Sequence, residues 1–161
     1  MSVTADITAT YRGPARVMQR LLAMGQREDR ALAFLMGACA LVFIAQMPRL
    51  AREAHLTGQE LNMLLGGALL GWLIIAPLLF YVLAAFSHVL ARLLGGKGEW
   101  YGARLALFWS LLASTPVLLL QGLVAGFIGP GPGLNLVGMA WIAVFFWFWI
   151  AGLRQAERGG Q

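Results

Sequence analysis

From residue 105 to residue 153 the chain carries no Asp, Glu, Lys or Arg. A run of that length cannot form a soluble surface. It is also too long for one crossing of a hydrocarbon core of roughly 30 Å, at about 1.5 Å of helix per residue. Gly129-Pro130-Gly131-Pro132-Gly133 divides it, because two prolines and three glycines in five residues cannot continue a helix. Two shorter runs without full charge precede it: residues 31–47, ended by Pro48 and Arg49, and residues 61–91. The pattern predicts an all-α polytopic membrane bundle with spans at about 31–48, 61–93, 103–128 and 134–153, between a basic arm over 1–30 and a tail over 154–161.

Composition agrees. Only 12% of the 161 residues are charged, 60% are hydrophobic, and the mean hydropathy is +0.73. A soluble domain carries roughly twice that charge fraction, so a disordered chain, a collagen-like chain and an ordinary cytosolic enzyme are excluded. The lone Cys39 has no partner for an internal disulfide.

The second run is long for one upright crossing, at about 46 Å of helix. A tilt, a kink at Pro77 or an extension beyond the bilayer would accommodate it. Thr57-Gly58-Gln59-Glu60 has the form of a capping box at its start, and Gly95-Gly96 suits a left-handed stop at its end.

Basic residues orient the bundle. Arg12, Arg16, Arg20, Arg27 and Arg30 lie in the arm, Arg92, Lys97 and Arg104 in the second loop, and Arg154 and Arg158 in the tail. Only Arg49 and Arg52 fall in an external loop. The positive-inside rule then places both termini in the cytoplasm of a four-span protein; a five-span alternative puts the tail outside. The first span serves as an uncleaved anchor rather than a signal peptide. Eleven of the twelve basic residues are Arg, beside abundant Ala and Gly. That bias suggests a GC-rich bacterium and hence a bacterial inner membrane.

Residues 14–26 form an expected interfacial helix, with Pro14 at its first position. Val17, Met18, Leu21 and Leu22 share one face, flanked by Arg16 and Arg20. Such a stripe fits anionic headgroups, and the alternative is a solvated leader.

Candidate chemistry is sparse. His88 is the only histidine near a span; His55 lies in the external loop, so no bis-histidine haem forms, and no Cys, Asp or Glu inside the spans completes a metal site. A hydrogen-bonded interfacial histidine is the preferred reading. Ser110, Ser114 and Gln121 share a face around Pro116, which serves helix packing or lines a solute path. Gly67-x-x-x-Gly71 and Gly122-x-x-x-Gly126 let helices approach closely, within the monomer or between molecules. Trp147 and Trp149 sit in an aromatic tract that reads as an interfacial belt or a docking surface. Gly95-Gly96-Lys97-Gly98 is not a phosphate loop: Lys97 lacks the following Ser or Thr, and no strand precedes it. No catalytic constellation, cofactor, metal or nucleic-acid partner is expected.

Ser87-His88-Val89-Leu90-Ala91-Arg92-Leu93-Leu94 runs into Gly95-Gly96-Lys97-Gly98. The aromatic pair Trp100-Tyr101, Arg104 and a span with Ser110, Ser114 and Pro116 follow. This block resembles the Yip1 domain family, particularly its bacterial members, and a looser likeness extends over most of the chain. The resemblance implies a helical membrane bundle with a cytoplasmic N-terminus and no catalysis. Eukaryotic members act in vesicle trafficking and associate with Rab-type GTPases and with one another. The family is usually described with five spans where the apolar runs here give four, and the long acidic head of its eukaryotic members is missing. The expected role is a membrane organiser that binds membrane lipids and other integral membrane proteins, including itself through Arg16, Arg20, the glycine loop or the glycine faces. An accessory subunit of an energy-transducing complex and a small permease are the alternatives.

Overall fold

A computed structural model describes residues 3–25 and 27–158, and among them every regular element is helical. A short pair opens the chain, α1 (Val3–Thr10) and α2 (Pro14–Ala23), and α3 (Glu28–Thr57) follows. Next comes a 33-residue rod: α4 (Leu61–Leu70), a π-helical turn (Gly71–Ile75) and α5 (Ala76–Leu93). α6 (Trp100–Ala113), α7 (Thr115–Phe127) and α8 (Pro132–Glu157) complete the bundle. Three of these units, α3, α4–α5 and α8, are long and apolar enough to cross a membrane. α6 and α7 meet at a bend of 43° and supply a fourth if the pair is one span.

The bend follows from Pro116. Proline has no N–H for the Leu112 carbonyl four residues back. The Thr115 hydroxyl donates to that carbonyl at 2.6 Å, and the Ser114 hydroxyl donates to the Leu111 carbonyl at 2.9 Å. Trp141 of α8 then donates its indole N–H to Ser114 Oγ at 3.1 Å, holding the bend against the last helix. In the rod, the local distortion is a wide turn just ahead of Pro77 rather than a sharp kink at it.

α6 is the axis of the fold. From Tyr101 to Ala113 every residue but Arg104 is buried. α3 covers it through Phe34 on Trp109, α5 through Tyr81 on Phe108, and α8 through Gly152 on Ala106. α1 covers it through Thr10, whose hydroxyl accepts the Trp109 indole N–H at 3.1 Å. α7 lies along α3, where a Cβ on Gly122 or Gly126 would overlap the backbone of Ala45 or Pro48. These two glycines therefore set an α3–α7 separation that no larger residue permits.

Several boundaries differ from the sequence reading. α3 runs on through Pro48 to Thr57, where Gly58 takes φ +75° and caps it. The Thr57 hydroxyl bonds back to the Glu53 carbonyl, and Glu60 makes no side-chain cap to α4, so Thr57–Glu60 is a helix stop rather than a capping box. The apolar stripe of α2 turns inward: Val17, Met18 and Leu21 are buried, with Met18 against Gly152, so the stripe meets protein where the sequence suggested headgroups. The notch left by Gly152 is the physical reason. α2 ends at Ala23, and Gln26, the last residue of the expected arm helix, lies outside the described residues, as do residues 1, 2 and 159–161.

Candidate functional site

Charge collects at the end of the bundle where α5 stops, α6 begins and α8 finishes. Gly95 takes φ +99°, a conformation costly for any residue with a Cβ, and turns the chain out of α5. The Gly96 N–H donates to the Ala91 carbonyl at 2.8 Å and the Lys97 N–H to the Glu157 carbonyl at 3.1 Å. The Gly98 N–H donates to Glu157 Oε2 at 2.9 Å. A Cβ on Gly98 would overlap the Ala156 carbonyl, and one on Gly96 would stand 2.9 Å from the Ala91 carbonyl. The loop is therefore glycine-rich because it lies directly on the end of α8.

Glu157 is the hub. Its Oε1 lies 3.0 Å from His88 Nδ1, so one carboxylate takes N–H groups from α5 and from the loop together. His88 is fully buried, and its ring sits 4.4 Å from that of Trp100 at 50°. The histidine thus ties α5, the loop, α6 and α8 into one cluster. No sequence argument reached Glu157, because a lone carboxylate among tail arginines reads as a solvated charge.

The arm starts from the same end and lies along α6 as far as its last residue, Ala113. Asp6 of α1 pairs with Arg20 of α2, and Arg104 of α6 pairs with Glu28 of α3. Arg30 donates to the Leu21 carbonyl at 3.1 Å and to the Tyr101 hydroxyl at 3.4 Å. The Tyr11 hydroxyl donates to the Ala113 carbonyl at 2.7 Å, and burial pushes that phenol's pKa up. Arg16 is exposed. Thr10 and Tyr11 were missed by sequence reasoning, since nothing in so short a segment marks partners about a hundred residues away, and Asp6 because its partner Arg20 lies on a separate helix.

The other candidates separate by location. Ser110 bonds back to the Ala106 carbonyl at 2.6 Å, and Gln121 faces Gly138 of α8, so both stand between helices. Gly67 and Gly71 face open space, with nothing within 4 Å of a Cβ placed on either. Trp147 is exposed on α8, while Trp149 is half-buried. Among the described residues no three of His, Cys, Asp and Glu come together to hold a metal.

Comparison with protein-family models, with curated proteins and with solved structures found no match to the chain. The chemistry of the site has to be read from its own geometry.

Proposed function

We propose that the chain is a non-enzymatic, Yip1-like protein of a bacterial inner membrane. It crosses four times with both termini cytoplasmic and works by lateral association with other integral membrane proteins. The observation that carries this reading is the contrast between two glycine pairs of the same spacing. Gly122 and Gly126 are filled by α3, whereas Gly67 and Gly71 lie open on a rod whose outward side chains, such as Met63, Ile74 and Leu78, are exposed. A small-residue face with no partner in its own chain is the geometry that admits a second helix at close range. The orientation is supported by charge: the end built from Arg30, Lys97, Arg104 and Arg154 is far richer in basic residues than the end holding Arg49 and Arg52. The block that resembles the Yip1 family supplies His88, Trp100 and the glycine loop to a single cluster.

Cysteine trapping in native membranes tests this. In a Cys39→Ala background, Gly67→Cys should give discrete oxidised adducts, while Leu136→Cys, on an equally exposed face of α8, should not. Equal trapping at both positions would mean random collision and end the proposal. A single adduct of fixed composition would assign the chain to one larger complex.

A further inference from the structure

We propose that the groove between the ends of α5 and α8 binds one anionic phospholipid, its acyl chain inside and its phosphate on Arg154 and Arg158. The inference rests on the membrane setting but not on association through α4. The groove encloses about 610 Å³, with Leu90, Leu94, Phe146, Ile150 and Leu153 along its apolar walls. Arg154 and Arg158, one turn apart at the end of α8, line its mouth. Both are exposed, and neither has an ion-pair partner among the described residues. The remaining charge at the mouth, Glu157, points into the protein: its side chain is 9% exposed and held by His88 and the Gly98 N–H. Whatever fills the groove therefore meets two positive charges that no carboxylate among the described residues pairs.

A second, independent observation concerns Trp149. It lines the groove, and its indole N–H is buried without an acceptor. An orphaned donor of this kind costs free energy until a partner arrives. Along α8, Trp149 lies about 7.5 Å before Arg154. A glycerophospholipid carries its groups in the same order: phosphate, then ester carbonyls, then acyl chain. The phosphate would meet the arginines and the chain would cover Phe146 and Ile150, and an ester carbonyl would accept the indole N–H once the Trp149 ring turns to present it to the groove.

The depth is suitable. Gly152 is level with Ala106, and Arg104 with Glu28, just before the uncharged run of α3 begins at Ala31. Arg154 thus stands at headgroup level and Trp149 at the hydrocarbon boundary, where tryptophan prefers to lie. A soluble anion would satisfy the arginines and leave the apolar walls bare, and a zwitterionic lipid brings no net charge to the mouth.

Native mass spectrometry of the full chain in mild detergent tests the site, with phosphatidylglycerol, phosphatidylcholine and glycerol 3-phosphate as probes. One phosphatidylglycerol should be retained, and the double variant Arg154→Gln, Arg158→Gln should weaken retention roughly tenfold or more, from about 1 kcal/mol for each basic group near the lipid. Trp149→Phe and Leu90→Trp, which leave both arginines in place, should each weaken it too, with Leu90→Phe as a milder filler if the larger residue disturbs folding. Retention that ignores the arginine pair and the groove fillers would mean annular lipid only and overturn the site. Displacement by glycerol 3-phosphate would reassign it to a soluble phosphate, and equal retention of phosphatidylcholine would remove the charge argument.

Discussion

Thr115 and Gly98 illustrate how much a single residue carries in this bundle. The Thr115 hydroxyl is the donor that satisfies the Leu112 carbonyl left open by Pro116. Thr115→Val keeps the shape and removes the donor, leaving a buried acceptor unpaired. Thermal unfolding in detergent should register a loss of about 1–3 kcal/mol. Thr115→Ser should restore most of it, and an unchanged unfolding temperature in the valine variant would show that water serves the carbonyl equally well. Gly98→Ala places a methyl group on the Ala156 carbonyl, so the loop must lift from α8 and release the Gly98 N–H from Glu157. The expected cost is again about 1–3 kcal/mol. It should shrink in a Glu157→Gln background, because the two changes act on one contact and will not add. Additive costs would separate the loop from the His88–Glu157 cluster.

At the level of elements, the two glycine pairs should respond in opposite ways. Gly122→Leu forces α7 away from α3 at Ala45 and should lower stability by several kcal/mol or prevent folding, as overpacking at a backbone contact does. Gly67→Leu points into open space and should leave the unfolding temperature of the isolated protein within a few degrees of wild type. Its effect should appear only in membranes, as loss of the adducts trapped through a cysteine placed instead at Met63, one turn away on the same exposed face. The sequence presents both pairs as equivalent small-x-x-x-small motifs, since spacing records which residues share a helix face and not what that face meets. The same limit applies to the α2 stripe. Its 3.6-residue periodicity is legible, but periodicity alone cannot tell lipid from the notch that Gly152 opens in α8.

For the whole molecule, the placement of the arm is the property most open to test. Removing residues 1–25 takes away the Thr10–Trp109 and Tyr11–Ala113 hydrogen bonds and uncovers α6 along one side. The truncated chain should still insert, because the apolar helices remain. It should unfold at a lower temperature and show faster hydrogen exchange over residues 105–113. Equal protection with and without the arm would mean that the arm is a dispensable cover. Reporters fused after α8 and inserted at Gly131 should be active on opposite sides of the membrane, with the former cytoplasmic. A cytoplasmic reporter at Gly131 with an external one after α8 would break the four-crossing reading at the α6–α7 bend, and activity on the same side would mean that α8 does not cross.

What the sequence by itself determined is the class of molecule and the rough position of its apolar helices. Those follow from where ionised groups are absent, a local and additive property of the chain. It also suggested a hydrogen-bonded role for His88 and a helix stop at Gly95-Gly96. Tertiary structure alone decided that α6 is sheathed on every side, that the α2 stripe faces protein and that one glycine pair is filled while the other lies open. It also decided that Glu157 is the hub at the basic end. Each of these depends on contacts between residues tens of positions apart, and the side chain of Glu157 has the same chemistry in a solvated tail as it does when held against His88. Local pattern specifies what a helix can bury; only the packing of the other helices settles which surface it buries against.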